Sequence, residues 1–173
     1  MAGANLARMT DANGRATLRA IFDAAVAAAH PAGRLANHLP APPKGRVVLL
    51  GAGKAAGSMI AAAEAHYLDE LGLPADRLTG LGVARQGYGC ATRVVRVLEA
   101  GHPVPDQNGI DATARILAFA RDAGPDDLVL ALLSGGGSAN WIAPAGALTL
   151  AEKQGITRAL LRSGAVIGEM VRW

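Results

Sequence analysis

The clearest hydrophobic periodicity lies near the start of the chain, where Leu18, Ile21, Phe22, Ala25, Val26 and Ala29 recur at steps of three and four. That spacing lines them along one stripe of a helix, for which Thr10 or Asp11 would supply the N-cap. Four prolines in residues 31–44 then interrupt regular structure and predict an exposed connection. Arg46-Val47-Val48-Leu49-Leu50 reads as a buried strand ending at Gly51. Ala56, Met59, Ile60, Ala63 and Tyr67 share one face of a following helix that closes near Leu71-Gly72. Strand, glycine turn and helix make the first half of a βαβ unit.

Residues 81–84 and 94–98 predict two further strands, separated by the turn Gly87-Tyr88-Gly89. After Pro103 and Pro105, Asp106 is placed to cap a helix that reaches about Ala123 and carries Ile110, Ala114, Leu117 and Phe119. Residues 127–133 form the most hydrophobic strand, expected to be buried, and run directly into Ser134-Gly135-Gly136-Gly137-Ser138. Thr149 opens a last helix over residues 150–162. Alternating strands and helices imply an α/β fold: an open, mostly parallel sheet with helices on both faces.

Composition refines this picture. Of 173 residues, 38 are Ala and 22 Gly, and the aromatics number six: Phe22, Phe119, Tyr67, Tyr88, Trp141 and Trp173. The core is therefore fine-grained, which lets helices sit close to a sheet, and the length suits one domain. Its aliphatic content excludes disorder, and the irregular glycine spacing excludes collagen-like order. Fourteen Arg and three Lys face 14 acids, for a net charge of +3 without clusters, so no nucleic-acid partner is expected. Cys90, the single cysteine, forms no internal disulfide and lacks the company of a zinc site. No apolar run reaches the ~20 residues of a membrane span, and the N-terminus lacks a leader-like core. A cytoplasmic protein that uses no membrane is the expectation.

Two glycine loops carry the candidate chemistry. In Gly51-Ala52-Gly53-Lys54 the glycines allow a tight strand-to-helix turn, and a helix start attracts anions. Lys54 there opposes the helix dipole, at up to ~1 kcal/mol, a cost that a bound phosphate would reverse; otherwise it simply bends into solvent. Ser134 to Ser138 would expose successive N–H groups flanked by two hydroxyls, suited to phosphate or carboxylate oxygens. If both strands are parallel, the two loops emerge at the same sheet edge. His102, in Gly101-His102-Pro103, either holds an anionic substrate or polarises a hydroxyl, or merely shapes a turn. No Walker A string exists, and the Gly51, Gly53, Gly57 spacing lacks the acid of an NAD site. Arg85 keeps open a meeting with the 2′-phosphate of NADP.

Four ordered strings resemble the glycerate 2-kinase family: Leu49-Leu50-Gly51-Ala52-Gly53-Lys54-Ala55-Ala56, Glu99-Ala100-Gly101-His102-Pro103-Val104-Pro105-Asp106, Leu133-Ser134-Gly135-Gly136-Gly137-Ser138-Ala139 and Leu161-Arg162-Ser163-Gly164-Ala165. The resemblance implies a Rossmann-like kinase domain and phosphorylation of D-glycerate at its 2-hydroxyl by ATP with Mg2+. It implies a catalytic or phosphate-contacting Lys54, with substrate or phosphate at Gly51, Gly53, His102 and Ser134, Gly135, Gly136, Gly137 and Ser138. No metal ligand is assigned. Family members are also labelled hydroxypyruvate reductase, and they continue into a second domain, called MOFRL. Residues 1–173 are thus expected to be a single, truncated N-terminal domain, incomplete for turnover. An edge meant for the absent domain would favour self-association, with Trp173 beside it. An NADPH-dependent reductase and a non-catalytic nucleotide- or anion-binding remnant are the alternatives.

Overall fold

A computed structural model describes residues 2–166 and Gly168; the expectation at Trp173 lies outside the described residues. Helix α1 (Ala2–Ala29) precedes β1 (Val47–Ala52), α2 (Ala56–Glu64), β2 (Leu78–Arg85), β3 (Arg96–Ala100), α3 (Gln107–Asp122), β4 (Leu128–Leu133), a short α4 (Gly137–Asn140) and α5 (Leu150–Ser163). The four strands form one all-parallel sheet in the order β3-β2-β1-β4. This is the open α/β architecture that the alternating pattern implies.

Strand alternation builds one core on each face of the sheet. Val47, Leu49, Leu78 and Leu132 pack with Ile60, Ala63 and Tyr67 of α2 and its continuation. Val48, Leu50, Leu81 and Val83 pack with Ala112 and Ile116 of α3. The small residues act as expected. Gly51 and Gly82 are register partners, and a Cβ on Gly51 would lie 2.8 Å from Ile60 Cδ1, so this bare patch lets α2 settle on the sheet.

Several boundaries differ from the sequence reading, each for a physical reason. Helix α1 runs through Thr10 and Asp11 rather than starting there, and its stripe of Leu18, Ile21, Phe22 and Val26 is exposed instead of facing a core. The connection after it is not simply exposed. It coils into two 3-10 turns, Leu35 and Leu39 pack against the α2-side core, and Tyr67 Oη donates to the Pro40 carbonyl at 2.8 Å. Strand β3 starts at Arg96 rather than Val94, because a carboxylate on α2 takes the amides of Arg93, Val94 and Val95.

Strand β4 is not the buried strand expected from its hydrophobicity. It is one of the two outer strands of the sheet, and Val129 and Leu133 are 40% and 57% exposed. Register puts Val129, Ala131 and Leu133 on the α3 side beside Val48, Leu50 and Ala52, but α3 packs over β2, β3 and β1 and leaves them uncovered.

Asp127 fastens the lower end of the sheet. Its carboxylate accepts from the Arg46 amide at 2.6 Å, the Arg46 guanidinium at 2.8 and 3.2 Å, and the Gly124 amide at 2.9 Å. Those bonds, the guanidinium's first, hold the carboxyl well below its usual range. A lowered native pKa means that the stabilisation is complete above the ordinary value of 3.8 and is lost as pH falls below it. Thermal melts should therefore show the wild-type advantage over Asp127→Asn shrinking as the buffer is taken below about pH 4. A gap that stayed constant down to the acid end would contradict this role.

Candidate functional site

The carboxyl ends of the strands place the two glycine loops side by side. Ser134 N donates to the Ala52 carbonyl at 2.9 Å, Lys54 N to the Gly135 carbonyl at 3.0 Å, and Ala55 N to Ser134 Oγ at 2.9 Å. Gly53 (φ 107°) makes this possible, since a Cβ there would overlap the Ser134 carbonyl and hydroxyl.

That clamp corrects one expectation. The first loop offers no free amides: Gly53 N donates to the Val83 carbonyl, Lys54 N and Ala55 N reach across as above, and Ala56 N donates to Gly53 O. Gly51 lies within β1. Gly51 and Gly53 therefore serve close approach, of α2 to the sheet and of one loop to the other, rather than direct phosphate binding. Ser134 Oγ also reaches the Ala52 carbonyl at 3.3 Å, so its hydroxyl belongs to the clamp.

The second loop meets the expectation better. Gly135 and Gly136 are accessible, and their amides make no hydrogen bond within the described residues. Gly137 packs on Ala52, where a Cβ would be 3.6 Å from the Ala52 Cβ, and the Ser138 hydroxyl is exposed. Gly136 has φ 88°, and a Cβ there would lie 2.9 Å from His102 Nε2 and 3.7 Å from Lys54 Cε. The lysine stem, the imidazole and the loop backbone thus border one small space.

His102 is half-buried. Desolvation, then the positive charges of Lys54 and Arg85, hold its imidazole below the usual 6.5, so the ring is neutral at pH 7. A histidine NMR titration should place its midpoint below 6.5, rising partway toward that value in Lys54→Ala. An unchanged midpoint would mean that the two side chains are not electrostatic neighbours.

Asn140 is a site-supporting residue that sequence reasoning left unexplained. It is fully buried, and its Nδ2 donates to the carbonyls of Ala100 and Gly101 at 3.3 and 3.0 Å. These bonds join α4, which follows the second loop, to the backbone just before His102. Trp141 beside it packs against the α3-side core, a packing role. Asp106 caps α3 as expected, accepting from Gly109 N at 3.0 Å.

The fold and this edge define an open α/β protein with two glycine loops clamped together at the carboxyl ends of its strands. Among proteins of that class the chain belongs to the family described as Domain of unknown function (DUF4147), which it matches over residues 17–172. It is 47% identical, over 94% of its length and 36% of the other's, to an Agrobacterium vitis protein named "Putative hydroxypyruvate reductase". It is 41% identical, over 72% of its length and 29% of the other's, to the D-glycerate 2-kinase of Thermotoga maritima. The crystal structure of a Thermotoga maritima glycerate kinase superposes with a TM-score of 0.68 at 35% identity, covering 87% of this chain and 35% of that one. The chain spans about a third of the length of these relatives.

The resemblance to glycerate 2-kinases also implies Mg2+. Magnesium is usually held by one or two carboxylates together with substrate phosphates. Among the described residues no group of three or more His, Cys, Asp or Glu could hold a metal ion. The described residues thus build no all-protein cage for a resident Mg2+. Also among the described residues, no helix is long and apolar enough to cross a membrane.

Proposed function

We propose that this chain supplies the phosphate-handling part of a cytoplasmic, ATP-dependent D-glycerate 2-kinase. The observation that carries the reading is the meeting of Lys54, the unbonded amides of Gly135 and Gly136, and neutral His102 around one space. The glycerate kinases among its relatives support the substrate. Phosphoryl transfer asks chiefly for alignment and for stabilisation of charge on the transferring group.

In this reading the loop amides and the Lys54 ammonium hold the γ-phosphoryl oxygens of ATP. The glycerate 2-hydroxyl oxygen forms a bond to the γ-phosphorus, the bond to the β,γ-bridging oxygen breaks, and ADP leaves. His102 accepts the hydroxyl proton, which its neutral state permits. The products are 2-phosphoglycerate and ADP.

The test joins residues 1–173 to the remaining two-thirds of the Agrobacterium vitis relative and supplies ATP, Mg2+ and D-glycerate. Formation of 2-phosphoglycerate is expected. Oxidation of NADPH by hydroxypyruvate without phosphorylated product would instead establish the reductase that the relative's name suggests. ATP binding by calorimetry without either turnover would reduce the site to an anion-binding module.

A further inference from the structure

Arg85 ends β2, the strand between β1, which leads to Lys54, and β3, which leads to His102. It pairs in register with Ala100, and the next amide, Gln86 N, donates to the Ala100 carbonyl at 3.1 Å. Alternation puts Arg85 on the face of Leu81 and Val83, the same side as Ala52 and Ala100 at the ends of the neighbouring strands. The guanidinium carbon lies 4.8 Å from the Tyr88 ring centroid, a cation–π contact that restrains the side chain. No ion pair or hydrogen bond engages the Arg85 side chain among the described residues. Glu99 of β3 has the opposite parity and accepts from Gly89 N at 2.9 Å.

We infer that Arg85 is the carboxylate-binding residue of the hydroxy-acid substrate. The inference rests on the kinase reading and deepens it. An arginine oriented by an aromatic ring, half-buried and without an acidic partner, is a receptor for a planar oxyanion, because its fork of N–H donors matches both carboxylate oxygens. Lys54, a point charge beside the amides of Gly135 and Gly136, suits the tetrahedral phosphoryl group instead. The charges of both cations reach His102, so a hydroxyl beside the imidazole would have both within electrostatic range, as the 2-hydroxyl next to the carboxylate requires.

The 173-residue chain can be titrated by NMR with D-glycerate, with glyceramide, which lacks the charge, and with ATP. The wild type should prefer D-glycerate to glyceramide. Arg85→Gln should weaken D-glycerate about 10- to 100-fold, abolish that preference and leave ATP affinity within about twofold. Arg85→Lys should recover part of the affinity, which a merely structural role for the side chain would not predict. If Arg85→Gln binds D-glycerate like the wild type, the assignment is wrong while the kinase reading stands. Weakened ATP with unchanged D-glycerate would give the guanidinium to the nucleotide, also overturning it. A wild-type chain that binds neither ligand removes both the assignment and the reading beneath it.

Discussion

In the joined protein proposed above as a D-glycerate kinase, Lys54→Ala is expected to lower phosphoryl transfer by about 10²–10³-fold, the usual loss when one preorganised charge or donor is taken from a developing oxyanion. The substitution should leave the fold untouched. The Lys54 side chain is exposed, and its backbone amide, which joins the loops, is retained by alanine. Lys54 stands just before Ala55, the N-cap of α2, where a positive charge opposes the helix dipole. Its removal should stabilise the protein by a few tenths of a kcal/mol. A large loss of rate with an equal or slightly higher melting temperature is therefore the signature. A variant that turned over within threefold of wild type would sink the role assigned to Lys54.

The largest loss of stability should follow from Glu64→Ala. This carboxylate is 1% exposed on an alanine-rich helix with no other charged residue, yet it is fully engaged. Oε1 accepts from the amides of Val94 and Val95 at 2.8 and 2.7 Å, and Oε2 from the Arg93 amide at 2.7 Å. Alanine leaves those amides without the carboxylate, that of Val95 in the core, and opens a cavity. The sum should reach about 3 kcal/mol or more. For a chain of this size that is a fall of roughly 6–12 °C in melting temperature. Glu64→Gln should lose about half as much, because its carbonyl can still take two amides while its NH2 faces a third donor. Calorimetry that found Glu64→Ala within 2 °C of wild type would contradict this account. The loss would reach the site as well, since residues 93–95 lead into β3, which delivers His102.

Glu64 and Lys54 also differ in how far sequence reading reached. The place of Lys54 at a helix start was legible, because a charge there after two glycines is locally anomalous, and local anomalies are visible along a chain. Glu64 left a fainter signal, one acid on the buried face shared by Ile60, Ala63 and Tyr67, and its partners lie some thirty residues away. Nothing local announces them. Asn140 is the same case, reaching back forty residues to Ala100. The fate of the first loop's amides was hidden for a like reason. Gly51 and Gly53 look equally suited to hold an anion or to let a neighbouring chain pass, and only the arrival of Ile60 at the first and Ser134 at the second decides between these.

Hydrophobic periodicity, caps and glycine turns by themselves determined the order and kind of the main elements, the parallel sheet and the two loops at its carboxyl edge. These depend on residues a few positions apart, so the chain carries them locally. Tertiary structure alone decided that β4 is an outer strand with one uncovered side, that α1 leaves its apolar stripe bare, and which amides remain available to a ligand. Those outcomes are set by which surfaces meet, and hydrophobicity records that a residue favours burial without naming what buries it.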